Sequence, residues 1–304
     1  MENIRIIEAF RNLFYSPLYV TQALGFFERE GLEVTSRPRE LGEQVIPMLR
    51  DGLADIALTG IMRSLVAADA GETDYPLAFI EVNSRDGFML LSRQPRDGFL
   101  WSDLEGKTVI TYKEPPTPGM CLLHVLKVQT VDTDSVHFST DRLFPEAIEA
   151  FKEGFGDFIQ LPEPQAQQLI ADGHAHLAVP MGPFVGPLPY SSFAATRTFL
   201  VERGETIMRF TRAVYSGQRW LAQHDAATIA PLTSAYLPGV SLDVLETGVE
   251  RYKNQETWAK DPLLRPEGYY RLEGILRDGG LIRGTHRYDD HVVTDFAEAV
   301  MAGQ

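Results

Sequence analysis

Residues 4–36, IRIIEAFRNLFYSPLYVTQALGFFEREGLEVTS, contain the pattern that decides the fold. A β-branched run over residues 4–10 ends at a polar pair and predicts a strand. Pro17 then marks the start of a helix, and apolar residues follow at helical spacing until Gly31 ends it. A second short strand, over 32–36, comes next. This order predicts two parallel strands joined by a covering helix.

The same alternation of strands and helices continues for most of the chain. A second α/β unit begins near residue 97, and its last predicted strand covers 176–180. After a loop rich in Gly and Pro, apolar stripes at helical spacing dominate residues 196–302. The patterns therefore predict an α/β fold class, in which mostly parallel sheets are flanked by helices and a helical C-terminal extension follows.

The charge balance limits the classes of partner. The chain has 304 residues, with 28 Lys and Arg against 42 Asp and Glu, so its formal net charge is −14. Proteins that bind nucleic acids need a basic surface, so we expect no nucleic-acid partner. Apolar residues make up 44% of the chain, which is enough for a large core. No run of about 18 apolar residues occurs, so we expect no insertion into a membrane.

Motifs for catalysis and metal binding are few. The single cysteine, Cys121, excludes an internal disulfide and a cysteine-rich metal cluster, and its apolar neighbours predict a buried side chain. His174 and His176 share one face of a predicted strand without further ligands at metal-binding spacing. Residues 106–108 lack the earlier glycine of a phosphate-binding loop, and no G-x-G-x-x-G, G-x-S-x-G or H-E-x-x-H occurs. We therefore predict no catalytic residue, no metal ligand and no cofactor.

Polar residues cluster where the predicted strands end. In open α/β sheets, ligands bind beyond the carboxyl ends of the strands, where helix N-termini and loop amides converge. Asn, Thr and Gly also favour such loops for their turn geometry alone, so a structural role stays open for each residue taken singly. Their joint placement predicts a ligand site formed by Arg11, Asn12, Tyr15, Thr59, Gly60, Asn83, Tyr112, Lys113, Thr117, Gly119 and Glu163.

Several stretches, taken in order, resemble the substrate-binding proteins for aliphatic sulfonates, taurine, nitrate and thiamine pyrimidine precursors. The stretches are YSPLYVTQALGFFEREGLEV at 15–34, LRDGLADIA at 49–57, LEGKTV at 104–109 and LPEPQAQQLIADG at 161–173. These substrate-binding proteins are a branch of the type II periplasmic-binding-protein family. Shorter phrases around Trp258 extend the resemblance over nearly the whole chain.

The resemblance implies a fold and a function. It implies two α/β lobes joined by crossover strands, with residues 1–91 and 189–304 in lobe I and residues 92–188 in the inserted lobe II. The lobes are then expected to close around a small organic anion or a planar aromatic or heterocyclic ligand. Tyr190 joins the residues expected in the cleft, and Arg11 or Lys113 is expected to pair with a carboxylate or sulfonate. An ABC-transporter permease is the implied protein partner.

Relatives on the same fold keep other functions open, namely a cytosolic enzyme and a cytosolic ligand sensor. The pyrimidine synthase of thiamine synthesis is associated with a cysteine-rich motif, which a chain with one cysteine lacks. Desulfinases place a nucleophilic cysteine in the loop after the first strand, where this chain has Ser16 and no positioned base that the sequence reveals. The N-terminal segment lacks the pattern of a signal peptide. We therefore expect a periplasmic protein if a leader has been removed, and a cytoplasmic one if Met1 is the natural start.

Overall fold

The chain forms two five-stranded mixed sheets, each flanked by helices. The computed structural model describes residues 1–40, 42–96, 98–112 and 114–303. Two positions that the sequence singled out, Asp97 and Lys113, lie outside the described residues. The predicted α/β fold class is confirmed. In the part of the chain that the structure describes, no helix is both long and apolar enough to cross a membrane.

The strands are short and the helices become more frequent toward the C-terminus. The strands are β1 (Glu2–Glu8), β2 (Leu32–Pro38), β3 (Ile56–Thr59), β4 (Leu77–Asn83), β5 (Phe88–Ser92), β6 (Thr108–Ile110), β7 (His137–Ser139), β8 (Phe158–Pro162), β9 (His176–Pro180) and β10 (Ser191–Ala195). The helices are α1 (Ser16–Ala23), α2 (Phe26–Arg29), α3 (Val45–Arg50), α4 (Met62–Asp69), α5 (Thr117–Val128), α6 (Phe144–Lys152), α7 (Gln165–Ala171), α8 (Gly182–Val185), α9 (Arg197–Glu202), α10 (Gly204–Gln223), α11 (Ala226–Ser234), α12 (Leu242–Asn254), α13 (Pro266–Asp278), α14 (Tyr288–His291) and α15 (Asp295–Ala302).

Each sheet has four parallel strands and one antiparallel strand. The first sheet has the order β2-β1-β3-β10-β4, and β10 runs antiparallel to both of its neighbours. The second sheet has the order β7-β6-β8-β5-β9, and β5 is its antiparallel strand. The prediction of mostly parallel sheets is therefore confirmed. In both sheets, the antiparallel strand is the one that the chain enters when it arrives from the other sheet.

The chain crosses between the sheets twice. It leaves β4 and enters β5 through residues 84–87, and it returns from β9 to β10 through residues 181–190. The second sheet thus begins at Phe88, ahead of the boundary at residue 92 that the sequence suggested. All five residues of β5 are buried, and β8 and β9 pair with its two edges. The division into lobes otherwise stays a prediction.

Helix α10 supplies much of the core beside the first sheet. It packs against α1, α2 and α15. Its Phe210 lies with its ring centroid 5.0 Å from that of Phe27 and 5.1 Å from that of Phe193 on β10. The single helix predicted from Pro17 to Gly31 is in fact two helices, because Gly25 adopts a left-handed backbone with φ of 68°. That break turns α2 so that Phe27 reaches α10.

The close contact between α1 and α10 gives a test of the packing. A Cβ at Gly217 would lie 2.0 Å from Thr21 Oγ1 and 3.4 Å from the Pro17 carbonyl oxygen. We expect Gly217→Ala to lower the free energy of unfolding by about 1–3 kcal/mol through overpacking. Gly274→Ala in α13 is the matched control, because a Cβ there meets nothing within 4 Å. Its better helix propensity should raise stability by about 1 kcal/mol. Urea unfolding measures both, and an equal gain in both variants would contradict this packing.

Candidate ligand-binding site

A cavity of about 400 Å³ lies between the two sheets and is lined from both sides. From the first sheet come the segments after β1 and β2 and the start of α4. From the second come β5, the segment after β6, the start of α6 and the residues around the end of β8. The lining consists of Ala9, Phe10, Arg11, Asn12, Pro38, Arg39, Glu40, Arg63, Phe88, Glu114, Pro115, Phe144, Pro145, Pro162 and Gln165.

Three arginines line the wall on the side of the first sheet. Arg11 follows β1, Arg39 follows β2, and Arg63 lies in the first turn of α4, just after β3. These three strands are neighbours and run parallel, so their carboxyl ends meet at one edge of the sheet. The topology therefore brings together three cations that are far apart in the sequence.

The charge of Arg11 is compensated within its own segment. Its guanidinium pairs with the fully buried carboxylate of Glu8 and also donates a hydrogen bond of 3.0 Å to the Ser36 carbonyl. The Tyr19 hydroxyl donates to the same carboxylate at 2.7 Å. Burial, reinforced by the neighbouring Glu8 carboxylate, raises the pKa of Tyr19 well above its ordinary value, so Tyr19 stays a donor. Arg11 and Tyr19 therefore both contact the buried Glu8 side chain.

Arg39 and Arg63 share a carboxylate that comes from the other sheet. Glu114 follows β6, and its Oε1 lies 3.1 Å from Arg39 Nη2 and 3.0 Å from Arg63 Nη2. The two arginine side chains are about three-quarters buried, whereas the Glu114 side chain is 43% exposed. This ion-pair bridge, Arg39–Glu114–Arg63, connects the two walls of the cavity.

Both arginines are oriented by further hydrogen bonds. Arg39 donates from Nε to the Ala9 carbonyl and from Nη1 to the Glu43 carbonyl, each at 3.0 Å. Arg63 donates from Nε to Thr59 Oγ1 at 3.2 Å. The remaining Nη2 of each guanidinium points at the cleft, where it meets Glu114. The local structure thus fixes the direction in which two cationic donors face.

Aromatic rings form the apolar part of the cavity. Phe10 comes from the first wall, and Phe88 and Phe144 come from the second. Phe10 stacks on the buried Tyr15 with centroids 4.8 Å apart, and Phe144 lies 5.0 Å from the ring of Tyr112. Rings that are supported from behind in this way keep a fixed surface for an apolar or planar ligand.

Of the residues predicted to contact the ligand, Arg11 and Asn12 line this cavity. The Asn12 side chain accepts a hydrogen bond from the Phe14 amide at 2.8 Å and so caps the short turn over 13–15. Thr59 lies behind Arg63 and orients it. Gly60 follows Thr59 in the chain, and a Cβ at this position would lie 3.2 Å from the Tyr190 carbonyl oxygen. Lys113 lies outside the described residues.

The predicted tyrosines are buried behind the cavity lining. Tyr15 supports Phe10, and the Tyr112 hydroxyl donates to the Gln160 carbonyl. Tyr190 packs edge-on against Phe14 with centroids 5.4 Å apart. The structure therefore places these tyrosines as a second layer around the cavity wall.

The remaining predicted residues serve structural contacts. Asn83 donates to the Phe14 carbonyl at 2.8 Å. Glu163 is fully buried and pairs with Arg251 of α12 at 2.8 Å. Burial raises the pKa of Glu163, although Arg251 opposes the shift. Thr117 and Gly119 lie in the first turn of α5, where Gly119 packs beside a threonine that follows β6.

Sequence reasoning missed the residues that carry most of the cavity chemistry. Arg63 stands four residues after Thr59, and Arg39 directly follows β2. The strand-end rule, applied to every strand, would have found both arginines. Glu114 and Phe144 carry no such signal, because their position depends on contacts between the two sheets. Among the described residues, the predicted set shares Arg11 and Asn12 with the lining of this cavity, and ligand contact stays a prediction for the whole set.

The single cysteine, Cys121, is buried. Burial, together with the neighbouring Asp86 carboxylate, raises the pKa of the Cys121 thiol well above its ordinary value. A thiol in this state is a poor nucleophile. Among the described residues, no group of His, Cys, Asp and Glu is placed to hold a metal ion.

Comparison with known proteins identifies the fold and the family of the chain. Its structure has the periplasmic binding protein fold. The sequence model described as NMT1/THI5-like matches residues 12–228, and the chain belongs to this family. Protein YtlA from Bacillus subtilis (strain 168), provisionally described as a binding protein, is 31% identical over 99% of this chain and 90% of its own length.

Two solved structures illustrate the range of functions on this fold. The alkanesulfonate-binding protein SsuA from Xanthomonas axonopodis pv. citri, bound to MOPS, has a TM-score of 0.76 at 18% identity. The match covers 97% of this chain and 99% of SsuA. The desulfurization enzyme DSZB has a TM-score of 0.73 at 15% identity, with 100% of this chain and 99% of DSZB covered. At these identities, the likeness defines the fold.

Buried Asp86, in the first crossing segment, predicts a pH dependence of stability. Burial raises its pKa to about 7, whereas the pKa of an aspartate in the unfolded chain is about 3.9. The folded state therefore binds this proton more tightly, and stability falls as the pH rises from about 4 through 7. We expect Asp86→Asn to remove this fall, which amounts to at most about 4 kcal/mol. The amide oxygen can still accept the Phe88 amide hydrogen bond.

Urea unfolding at several pH values measures this effect. The advantage of Asp86→Asn over the parent chain should be small at pH 4 and should grow until about pH 8. A difference in the free energy of unfolding that stays constant with pH would contradict a buried carboxyl with a raised pKa.

Proposed function

We propose that this protein is the solute-binding component of an ABC import system and that it binds a small organic anion with an apolar or aromatic body. The observation that carries the proposal is the cavity between the two sheets. Its walls combine arginine side chains with phenylalanine rings, and each sheet contributes to both the polar and the apolar lining. Family membership and the similarity to YtlA support a binding role.

The lining suits this class of ligand chemically. Guanidinium groups bind sulfonate, sulfinate and carboxylate oxygens through charge-assisted hydrogen bonds, and aromatic rings pack against an apolar body. The SsuA relative was solved with MOPS, which joins a sulfonate to an alkyl chain and a ring. Within the predicted ligand set, we propose that Arg11 and Asn12 contact the ligand and that the buried tyrosines position the wall.

Closure of two lobes is the proposed mechanism. The sheets are linked by the two crossing segments, which can bend while each sheet keeps its own hydrogen bonds. A ligand that contacts both walls binds the closed arrangement better than an open one, and this difference in affinity shifts the population toward closure. A membrane permease that recognises the closed form is the proposed protein partner. Structural neighbours include a periplasmic binding protein, and we propose the same side of the membrane for this chain.

An enzyme on the same scaffold is the second candidate, because DSZB shares the fold. Ser16, the first residue of α1, stands where desulfinases are expected to have a cysteine. Its hydroxyl is fully buried and donates to the Leu13 carbonyl at 2.6 Å. Cys121 is buried with a raised thiol pKa. These observations favour binding over covalent catalysis.

A thermal-shift screen tests the proposed function. The panel contains benzenesulfonate, benzoate, MOPS, nitrate and a pyrimidine, with uncharged benzenesulfonamide for comparison. A ligand present at 100 times its Kd stabilises the folded protein by about 2.7 kcal/mol, which raises Tm by several degrees. We expect at least one organic anion to do so. If no compound shifts Tm, the proposal is contradicted, and if a compound is consumed on incubation, the enzymatic alternative takes its place.

A further inference from the structure

We propose that Arg39 and Arg63 form an oxyanion subsite in the cleft and that Glu114 occupies this subsite as an internal competitor. The anionic group of the ligand then displaces the Glu114 carboxylate from the two guanidinium groups. This inference rests on the proposed function, since it names the part of the cavity that recognises the charge of the ligand. Neither arginine is among the residues that the strand-end pattern predicted.

The charges around the bridge favour an added anion. Both arginines pair with one oxygen of Glu114, Oε1, so two positive charges share one carboxylate. Arg11, the third arginine of the cavity, has its own buried partner in Glu8. Within the bridge itself two guanidinium groups face one carboxylate, while Glu40 also lines the cavity, so an oxyanion that takes the place of Glu114 gains both guanidinium groups as donors.

Hydrogen bonds within the first wall orient Arg39 and Arg63 before a ligand binds. Hydrogen bonds to the Ala9 and Glu43 carbonyls fix Arg39, and Thr59 fixes Arg63. In both side chains, Nη2 is the nitrogen that contacts Glu114. Because the donors are already oriented, a sulfonate or carboxylate that replaces Glu114 loses little entropy in ordering them.

Glu114 is suited to be displaced. Its side chain is 43% exposed, and ion pairs at such exposed positions are weak. The carboxylate also stands where the cavity between the sheets adjoins a second one of about 410 Å³, since Arg39, Arg63 and Glu114 line both. Movement of Glu114 therefore joins the two spaces and enlarges the room for a ligand beside the arginines.

The bridge also connects the two sheets, because both arginines belong to the first and Glu114 follows β6 of the second. A carboxylate from one wall that fills an anion subsite in the other holds the walls together without ligand. The ligand must break the bridge before it gains the same donors. The apparent affinity is therefore the intrinsic affinity multiplied by the fraction of protein in which Glu114 does not occupy the subsite.

Isothermal titration calorimetry of Glu114→Gln with benzenesulfonate and benzoate tests the inference. Loss of the competing charge should increase the affinity for these anions by about three- to tenfold. The affinity for benzenesulfonamide, which has no charge, should not gain in this way. The two anionic probes also show whether the subsite prefers a sulfonate or a carboxylate.

Glu2→Gln is the matched control, because Glu2 also lies between two arginines, Arg203 and Arg209, but away from the cleft. Its affinity for both anions should stay within about twofold of the parent chain. Arg63→Gln should lose at least tenfold in affinity for the anions. Circular dichroism confirms that each variant is folded before its titration is interpreted.

The outcomes separate this inference from the proposed function. If Glu114→Gln binds both anions no better than the parent chain, or binds neither, the competitor subsite is refuted. The proposed function survives that result if another organic anion of the screen, such as MOPS, still binds to the parent chain. If no compound binds to any variant, both proposals fail.

Discussion

Two crossings of the chain are the constraint on which the rest of this structure depends. Each crossing adds one antiparallel strand to a sheet that is otherwise parallel, so neither sheet is complete without a strand that arrives from the other. The crossings also keep the carboxyl ends of β1, β2 and β3 opposite the loops of the second sheet. A cleft between two walls is therefore a consequence of the connectivity, and its chemistry is set by whatever side chains follow those strands.

The three arginines of the cleft pair with two different carboxylates. Arg11 is neutralised by a buried carboxylate of its own strand and stabilises the first wall. Arg39 and Arg63 are neutralised only in part, by a more exposed carboxylate from the opposite wall. Buried ion pairs are costly to break, whereas exposed ones exchange readily with solvent and ligands. The Arg11–Glu8 pair thus stabilises the fold, and we propose that Glu114 is the carboxylate that a ligand anion displaces.

The sequence predicted the fold well because strands, helices and their ends are local features. Gly31 and the apolar spacing before it predict the helical connection between β1 and β2. The break at Gly25 does not follow from this pattern. The site was harder to predict. Asn12 follows from the strand-end rule, but Glu114 meets Arg39 and Arg63 across 75 and 51 residues of chain. Such a meeting depends on how two sheets face each other, which no local pattern records. For the buried tyrosines and Glu163, contact with the ligand stays a prediction.

A crystal structure of the protein with benzenesulfonate tests the central claim most directly. The account predicts sulfonate oxygens within about 3 Å of Nη2 of both Arg39 and Arg63, the phenyl ring against the phenylalanines of the cavity, and the Glu114 carboxylate turned away. A structure in which the Arg39–Glu114–Arg63 bridge is intact and benzenesulfonate lies elsewhere would contradict it.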